Sequence, residues 1–279
     1  QIVINSPTEA AAKTLELIEQ GSDIIKIWLG LTLEDMKAVV NAAHSKGVKV
    51  HAHLYKVPAM EKAIEAGVDV LQHVGSAKMP PYPAAVLHKI AEDRIPVVQT
   101  VAHRIWVYPA SLENPSRLDN PELEADIPVD IYADMQRSFK NIRALSYFKD
   151  TPDEIRNSTI NARQFIDANA YMGVGTDAAS PLNFHTEAMW REMSALVDSG
   201  MTPARVITAA TKSGAEILGK GEELGTIEAG KLADIIIIDG DPLFDINALK
   251  YVAVTIKDGR VWFDKKYTTD ALIELGTAF

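Results

Sequence analysis

The feature that most constrains this chain is a strand–helix–strand run from Val48 to Gly75, VKVHAHLYKVPAMEKAIEAGVDVLQHVG, with histidine at or near the end of each strand. Val48, Val50 and Ala52 alternate with Lys49, His51 and His53. A side-chain period of two therefore sends His51 and His53 to one face of the strand. A helical segment over Met60 to Ala66 follows, and Gly67 stops it, as glycine commonly does just past a helix end. The apolar run Val68 to Leu71 comes next, with His73 at its far end. Where parallel strands are joined by helices, their C-terminal ends meet at one rim, so these histidines are expected to converge there with the geometry of a metal site.

The helix–glycine–strand unit recurs upstream. Ile18 to Lys26 resembles Ile64 to His73, which puts Lys26 and His73 at nearly the same place in their units. Ser6-Pro7 followed by Glu9 reads as a helix start, and that helix runs to about Glu19. Asp23 to Leu29 reads as a buried strand with Lys26 inside it. Thr32 caps a second helix, with Glu34 and Asp35 in its first turn and Gly47 at its end. Apolar strands in such units mean a parallel sheet covered by helices, either a barrel or a doubly wound sheet.

Downstream, a helix is expected from about Pro83 to Asp93 and a strand from Ile95 to Val101. Ala102 to Pro128, with prolines at 109, 115, 121 and 128, reads as a long irregular stretch, of the kind that forms lids and binding loops or is disordered. Helical patterns follow at about Val129 to Phe148 and Pro152 to Ala170, and a short strand, Met172 to Thr176, delivers Asp177. Further helices are expected around Glu187 to Asp198 and Pro203 to Leu218. From Leu224 the texture changes to two β-rich segments, Leu232 to Ile238 and Val252 to Phe263, separated by turn residues such as Asp239-Gly240-Asp241-Pro242. The strands ending near Lys26, His51, His73, His103 and Asp177 make about five βα units, where a closed eightfold barrel takes about 250 residues. The expected fold is thus α/β: a partial, truncated TIM-type (β/α)8 barrel over residues 1–222, with a small C-terminal β appendage over 223–279.

A net charge of -10 argues against nucleic acid or an anionic membrane surface as partner. No apolar run approaches the ~18 residues that cross a bilayer. With no cysteine there is no disulfide framework and no thiolate site, so a metal must use histidine, carboxylate or a rarer donor. The chain opens on Gln1, directly into a structured-looking segment, so an upstream portion is expected to be missing or to belong to another chain. A targeting signal would lie there, which leaves localisation unread, with the cytoplasm slightly favoured.

Lys26, amid Ile24, Ile25, Ile27 and Trp28, would be costly to bury unpaired. Either its ammonium snorkels out or pairs with a carboxylate, or it is a rim lysine, deprotonated or carbamylated by carbon dioxide. A carbamate is a bidentate oxygen ligand able to bridge two metal ions. A lone histidine would read as a core residue, but His51 and His53 on one face with His73 one unit later favour a site. Asp177, in Gly175-Thr176-Asp177-Ala178, is by itself an ordinary turn aspartate. As the fourth strand-end polar group it becomes a candidate ligand and general base. His44 and His88 fall on helix patterns, while His103 and His185 fall in loops, as substrate contacts or surface residues.

The order Lys26, His51 and His53, His73, Gly-Thr-Asp177 resembles the amidohydrolase superfamily, the metal-dependent hydrolases built on a (β/α)8 barrel. The tail is similar to the closing segment of its imidazolonepropionase-like and prolidase-like branch, in Met201-Thr202-Pro203, Ala209-Ala210-Thr211 and the run Leu224 to Asp234, LGTIEAGKLAD. The resemblance implies that Lys26 is the strand-four carboxylated lysine bridging two divalent ions, usually zinc. It implies that His51 and His73 are the strand-five and strand-six ligands, with His53 a substrate contact or alternative ligand. Asp177 is implied to bind metal, orient the attacking hydroxide and pass its proton to the leaving group. The implied activity is hydrolysis of an amide or ester-like bond in dipeptide or N-acyl amino-acid substrates, with Tyr55, His103, Arg104 and Tyr108 as further grips. Phosphotriesters or lactones are alternative electrophiles, and a non-catalytic fragment serving as a binding or structural partner is the rival of another class. Two features depart from the pattern. The segment between His53 and Gly67 is about two residues longer than usual, so the loop of Tyr55 and Lys56 shapes a different pocket. The strand-one His-x-His pair is absent, leaving four candidate protein ligands for one ion, or for two held more weakly. Unpaired sheet edges favour self-association or pairing with a missing N-terminal segment.

Overall fold

Ser6 and Thr32 each place a side-chain oxygen at the head of a helix. Ser6 Oγ accepts the Glu9 N–H at 3.2 Å and opens α1, Pro7–Glu19. Thr32 Oγ1 accepts the Asp35 N–H at 3.1 Å, the Asp35 carboxylate accepts the Thr32 N–H at 3.1 Å, and this reciprocal box opens α2, Leu33–His44. The computed structural model describes residues 2–54, 56–75, 81–119, 121, 124, 127–140, 151–178, 180 and 182–266. They fall into two units, Gln1–Val101 with Pro152–Met172, and Ala102–Thr151 with Gly173–Phe279.

The first unit is organised by a five-stranded sheet in the order β1 (Ile24–Ile27), β2 (Lys49–His53), β3 (Val70–Gln72), β4 (Val97–Gln99) and β5 (Met172–Val174). The pairings β1–β2, β2–β3 and β3–β4 are parallel. Helices α3, Val57–Ala66, and α4, Ala84–Glu92, link the middle strands. Val50, Ala52, Met60, Val70, Leu71 and Ile90 are fully buried, as expected of a parallel sheet covered by helices. β1, expected as a buried strand with the charge of Lys26 inside it, alternates, with Ile25 and Ile27 buried and Lys26 exposed. Among the described residues β1 is the terminal strand in the order, with a neighbour on one side only, a position at which a lysine can reach solvent.

The second unit corrects the expectation for Ala102 to Pro128. Over its described part up to Asp119, in place of an irregular loop there is a π-helical turn, His103–Val107, a helix, Tyr108–Glu113, and a 3-10 turn, Pro115–Asp119. The prolines mark starts. Pro109 lies in the first turn of its helix, Pro115 opens the 3-10 turn, and Pro128 caps the helix Val129–Phe139. At Pro115 and Pro128 the missing N–H has no helical partner to lose, whereas Pro109 follows directly on the π-helical turn. Residues 141–150, on which the second half of an expected helix falls, lie outside the described residues. Val107, Tyr108, Leu118, Tyr132, Leu182 and Phe184 form the buried apolar cluster here. His185, expected in a loop, is the first residue of the helix His185–Asp198.

A three-stranded antiparallel sheet ends the second unit, in the order β6 (Ile235–Ile238), β7 (Val252–Lys257) and β8 (Arg260–Asp264). Expected as one segment, β7 and β8 are a hairpin turned by Asp258 and Gly259, both with positive φ, 50° and 75°. An Asp-Gly pair suits that two-residue turn. Among the described residues no helix is long and apolar enough to cross a membrane.

Two glycines in left-handed backbone separate the cost of conformation from the cost of space. A Cβ on Gly21 (φ 96°) would meet nothing within 4 Å, whereas one on Gly225 (φ 92°) would stand 2.7 Å from Ala215 Cβ and 2.9 Å from the Thr211 carbonyl oxygen. Gly21→Ala is expected to cost about 1–2 kcal/mol, the left-handed penalty alone. Gly225→Ala adds an overpacking cost of about 1–3 kcal/mol. Denaturant midpoints of the two variants check this, and equal losses would contradict it.

Candidate metal centre

The parallel register aligns the polar side chains before any of them touch. Lys26 stands opposite His51 and His53 opposite Gln72, so all four lie on one face of the sheet near the strand ends. Lys26 Nζ lies 3.1 Å from His73 Nε2. His73 follows β3 with φ 63°, left-handed backbone that is uncommon outside glycine, though histidine is among the residues that enter it more often, and the residue is 6% exposed. Its Nδ1 is 3.0 Å from Thr100 Oγ1, just beyond β4. A Lys26 ammonium can only donate, so Nε2 accepts from it, and Nδ1–H then donates to the threonine hydroxyl. That fixes the tautomer whose Nε2 lone pair points toward Lys26.

His51, also 6% exposed, is held from the neighbouring strand. Its Nδ1 lies 2.9 Å from Gln72 Nε2, while its own Nε2 is buried with no hydrogen-bond partner among the described residues. Burial pushes the imidazole down to about 4, against the opposing pull of Asp69, with Lys49 and Lys26 lowering it further. The ring is therefore neutral near pH 7. With Gln72 Nε2 donating, the proton sits on His51 Nε2 and has no acceptor. Turning the amide over lets its oxygen accept Nδ1–H and leaves Nε2 as a bare lone pair. The second arrangement strands no buried donor, and it is the one a metal ligand requires. One residue earlier on the same strand, Asp69 Oδ2 accepts the Val50 N–H at 2.7 Å and lies 2.8 Å from His44 Nε2, which pins β2 beside the start of β3.

His53 completes the group. Its ring is stacked on the Trp28 indole with centroids 3.5 Å apart and planes 13° apart, and its centroid lies 4.6 Å from that of His73. Lys26, His51, His53 and His73 thus share one end of the first unit. Among the described residues, no three His, Cys, Asp or Glu side chains form a group able to hold a metal by themselves. A carbamate on Lys26 would add an oxygen donor beside the two histidines. The orphaned nitrogen of His51, the oriented lone pair of His73 and an amine beside it fit that donor set.

Of the other proposed site residues, Asp177, His103, Arg104 and Tyr108 lie in the second unit, and Tyr55 lies outside the described residues. Asp177 has φ 51°; its carbonyl accepts the Ser180 N–H at 3.1 Å, and Asn183 Nδ2 donates to the Thr176 carbonyl at 2.6 Å. The aspartate therefore sits in a turn closed from both sides. His103, expected in a loop, is 1% exposed at the head of the π-helical turn, edge-on to Tyr108 at 5.7 Å. Arg104 donates to the buried Tyr108 hydroxyl at 2.6 Å and lies over its ring at 4.9 Å. Sequence reading passed over Trp28, Gln72 and Thr100. The available signals were the period of two that links Lys26 to Trp28, and the strand-end positions of the other two.

The amidohydrolase family profile matches residues 25–262, a span that takes in Lys26, His51, His73 and Asp177. The chain belongs to the amidohydrolase family. Among sequence relatives, this amidohydrolase chain is 38% identical over 109 residues to the imidazolonepropionase of Thermoplasma volcanium, covering 38% of this chain and 26% of that one. Among solved structures, it is similar to a Xaa-Pro dipeptidase with bound methionine in its active site (26% identity, TM-score 0.70), covering 93% of this chain and 59% of that one. The fold is also that of A. niger ochratoxinase, with a TM-score of 0.71 at 20% identity over 95% of this chain and 56% of that one. The chain thus spans about a quarter of the length of that curated relative and about three fifths of that dipeptidase.

The depressed His51 titration carries a stability signature. The unfolded ring titrates near 6.5 and the folded ring near 4. Between those values the unfolded chain binds the extra proton, so stability is full above pH 6.5 and is lost as the pH falls through that window. Urea midpoints of metal-free protein are expected to drop between pH 6.5 and 4, and His51→Gln is expected to flatten the drop. A His51→Gln profile as steep as the parent's would place the effect elsewhere.

Proposed function

We propose that this chain carries part of a metal-dependent hydrolase acting on C–N bonds of the amide type, with dipeptide-like or N-acyl amino-acid substrates. The observation that carries the reading is the donor arrangement in the first unit: Lys26 Nζ at 3.1 Å from an oriented His73 Nε2, beside a buried, unpartnered His51 Nε2. Family membership supports the metal, and the dipeptidase likeness supports the substrate class. Lys26, His51 and His73 would hold one or two divalent ions, zinc being the leading candidate, and Asp177 is proposed as a further ligand from its place in the family's sequence pattern alone. Lys26 would do so as its carbamate, formed when the ammonium loses one proton and the free amine adds to carbon dioxide with loss of a second. A divalent ion bound there would lower the pKa of a water molecule toward about 7 and polarise the scissile carbonyl.

The chain's own residues carry the rest. Asp177, fixed in its closed turn, takes a proton from the attacking water and returns it to the leaving nitrogen. His53 contacts the substrate beside the metal, with Tyr55, His103, Arg104 and Tyr108 as further contacts. The fold is read as a partial (β/α)8 barrel, residues 1–222, with residues 223–279 as a β appendage. β1, paired on one side only, is the edge along which self-association or an N-terminal segment would complete it.

Asp177→Asn is expected to lower kcat by about 10²–10⁴, the range of a lost acid–base group, with the unfolding midpoint unchanged. Parental turnover in that variant removes the proposed base. Lys26→Ala is expected to lose metal, measured by elemental analysis, and to regain part of it with millimolar formate or acetate. Full occupancy without added acid contradicts the lysine's role.

A further inference from the structure

We propose that Trp28 determines acyl-group specificity: its indole, held flat by His53, is a shelf for a planar ring on the acyl side of the substrate. What the substrate is rests on the hydrolase reading above, whereas the place of the ring rests on geometry. Trp28 lies two residues past Lys26 and so projects from the same face of the chain. One side of the indole is covered by His53 at 3.5 Å, and Lys26 Nζ lies 5.8 Å from its centroid. The shelf is therefore built into the group of residues assigned to the metal rather than standing apart from it.

Three observations point to a ligand. First, Trp28 remains 43% exposed although its stacking partner belongs to a nearly buried cluster. An indole of that exposure offers a large apolar area where a substrate must pass. Second, the near-parallel stack on His53 seats the indole on one side, so a ring laid on its other face meets a surface already in place and costs less ordering. Third, a cavity of about 430 Å³ reaches both Lys26 and Trp28, and its other walls are mostly apolar, Val3, Ile25 and Leu29 among them, with Lys13 and Thr14 as polar exceptions. That volume lies within the ordinary range of ligand pockets. The flat face also selects the chemistry. A short aliphatic acyl chain would cover little of the indole, whereas an aromatic ring covers it in an offset stack.

Incorporation of 5-fluorotryptophan gives one fluorine resonance for each of the four tryptophans, and Trp28→Phe identifies that of Trp28. Benzoate, an aromatic acyl product that is not consumed, is expected to move the Trp28 resonance saturably and to leave the other three in place, while acetate moves none. A Trp28 resonance that benzoate does not move, or four that move alike, overturns the shelf. With N-benzoyl and N-acetyl derivatives of one amino acid as substrates, Trp28→Ala is expected to raise the ratio of their KM values by about threefold to tenfold, the range of one aromatic pair. Trp28→Phe is expected to restore most of that ratio. Hydrolysis of neither substrate while benzoate still moves the Trp28 resonance removes the hydrolase reading and leaves the shelf standing. Hydrolysis of both with an unchanged KM ratio overturns the shelf and leaves the hydrolase standing.

Discussion

The parallel register between β1, β2 and β3 is the constraint on which the candidate site depends. With Lys26 opposite His51 and His53 opposite Gln72, every polar side chain of the group emerges on one face and at one end of the sheet. A slip of one residue in β1 would send Lys26 to the face now occupied by Ile25 and Ile27 and would break its approach to His73. The register is protected on both sides. Ile25 and Ile27 are buried on the opposite face, and the Asp69 carboxylate ties the β2 backbone at Val50 to the start of β3.

Around that register the histidines are set from neighbouring strands rather than by their own. Thr100 orients His73 from beyond β4, Gln72 orients His51 from β3, and Trp28 lies flat on His53 from beyond β1. Partners of this kind choose which ring nitrogen carries the proton and which offers a lone pair. His73 and Asp177, the last residues of their strand-end runs, both have positive φ. Non-glycine residues in left-handed backbone cost about 1–2 kcal/mol each. Their recurrence at the two strand ends proposed to bear ligands suits backbone held for function.

The helix–glycine–strand repeat, the parallel sheet and the shared face of His51 and His53 were legible in the sequence because each rests on residues a few positions apart. The capping of α1 and α2 by Ser6 and Thr32 was legible for the same reason. The stretch after Val101 was misread because prolines 109, 115 and 128 look like breakers in a list of residues, yet each sits where a helical turn begins. The hairpin of β7 and β8 was missed although Asp258-Gly259 is a strong local turn signal, since the flanking apolar residues suggested one continuous segment.

By itself the sequence determined which side chains stand at strand ends, and with them the amidohydrolase resemblance, because strand alternation and helix punctuation are short-range properties of the backbone. Only the tertiary structure decided that Lys26 is exposed at a sheet edge, that its amine meets His73 rather than a carboxylate, and that Trp28 covers His53. Those outcomes depend on which strands are neighbours and in what register. Such pairings join residues far apart in the chain, and no local periodicity encodes them.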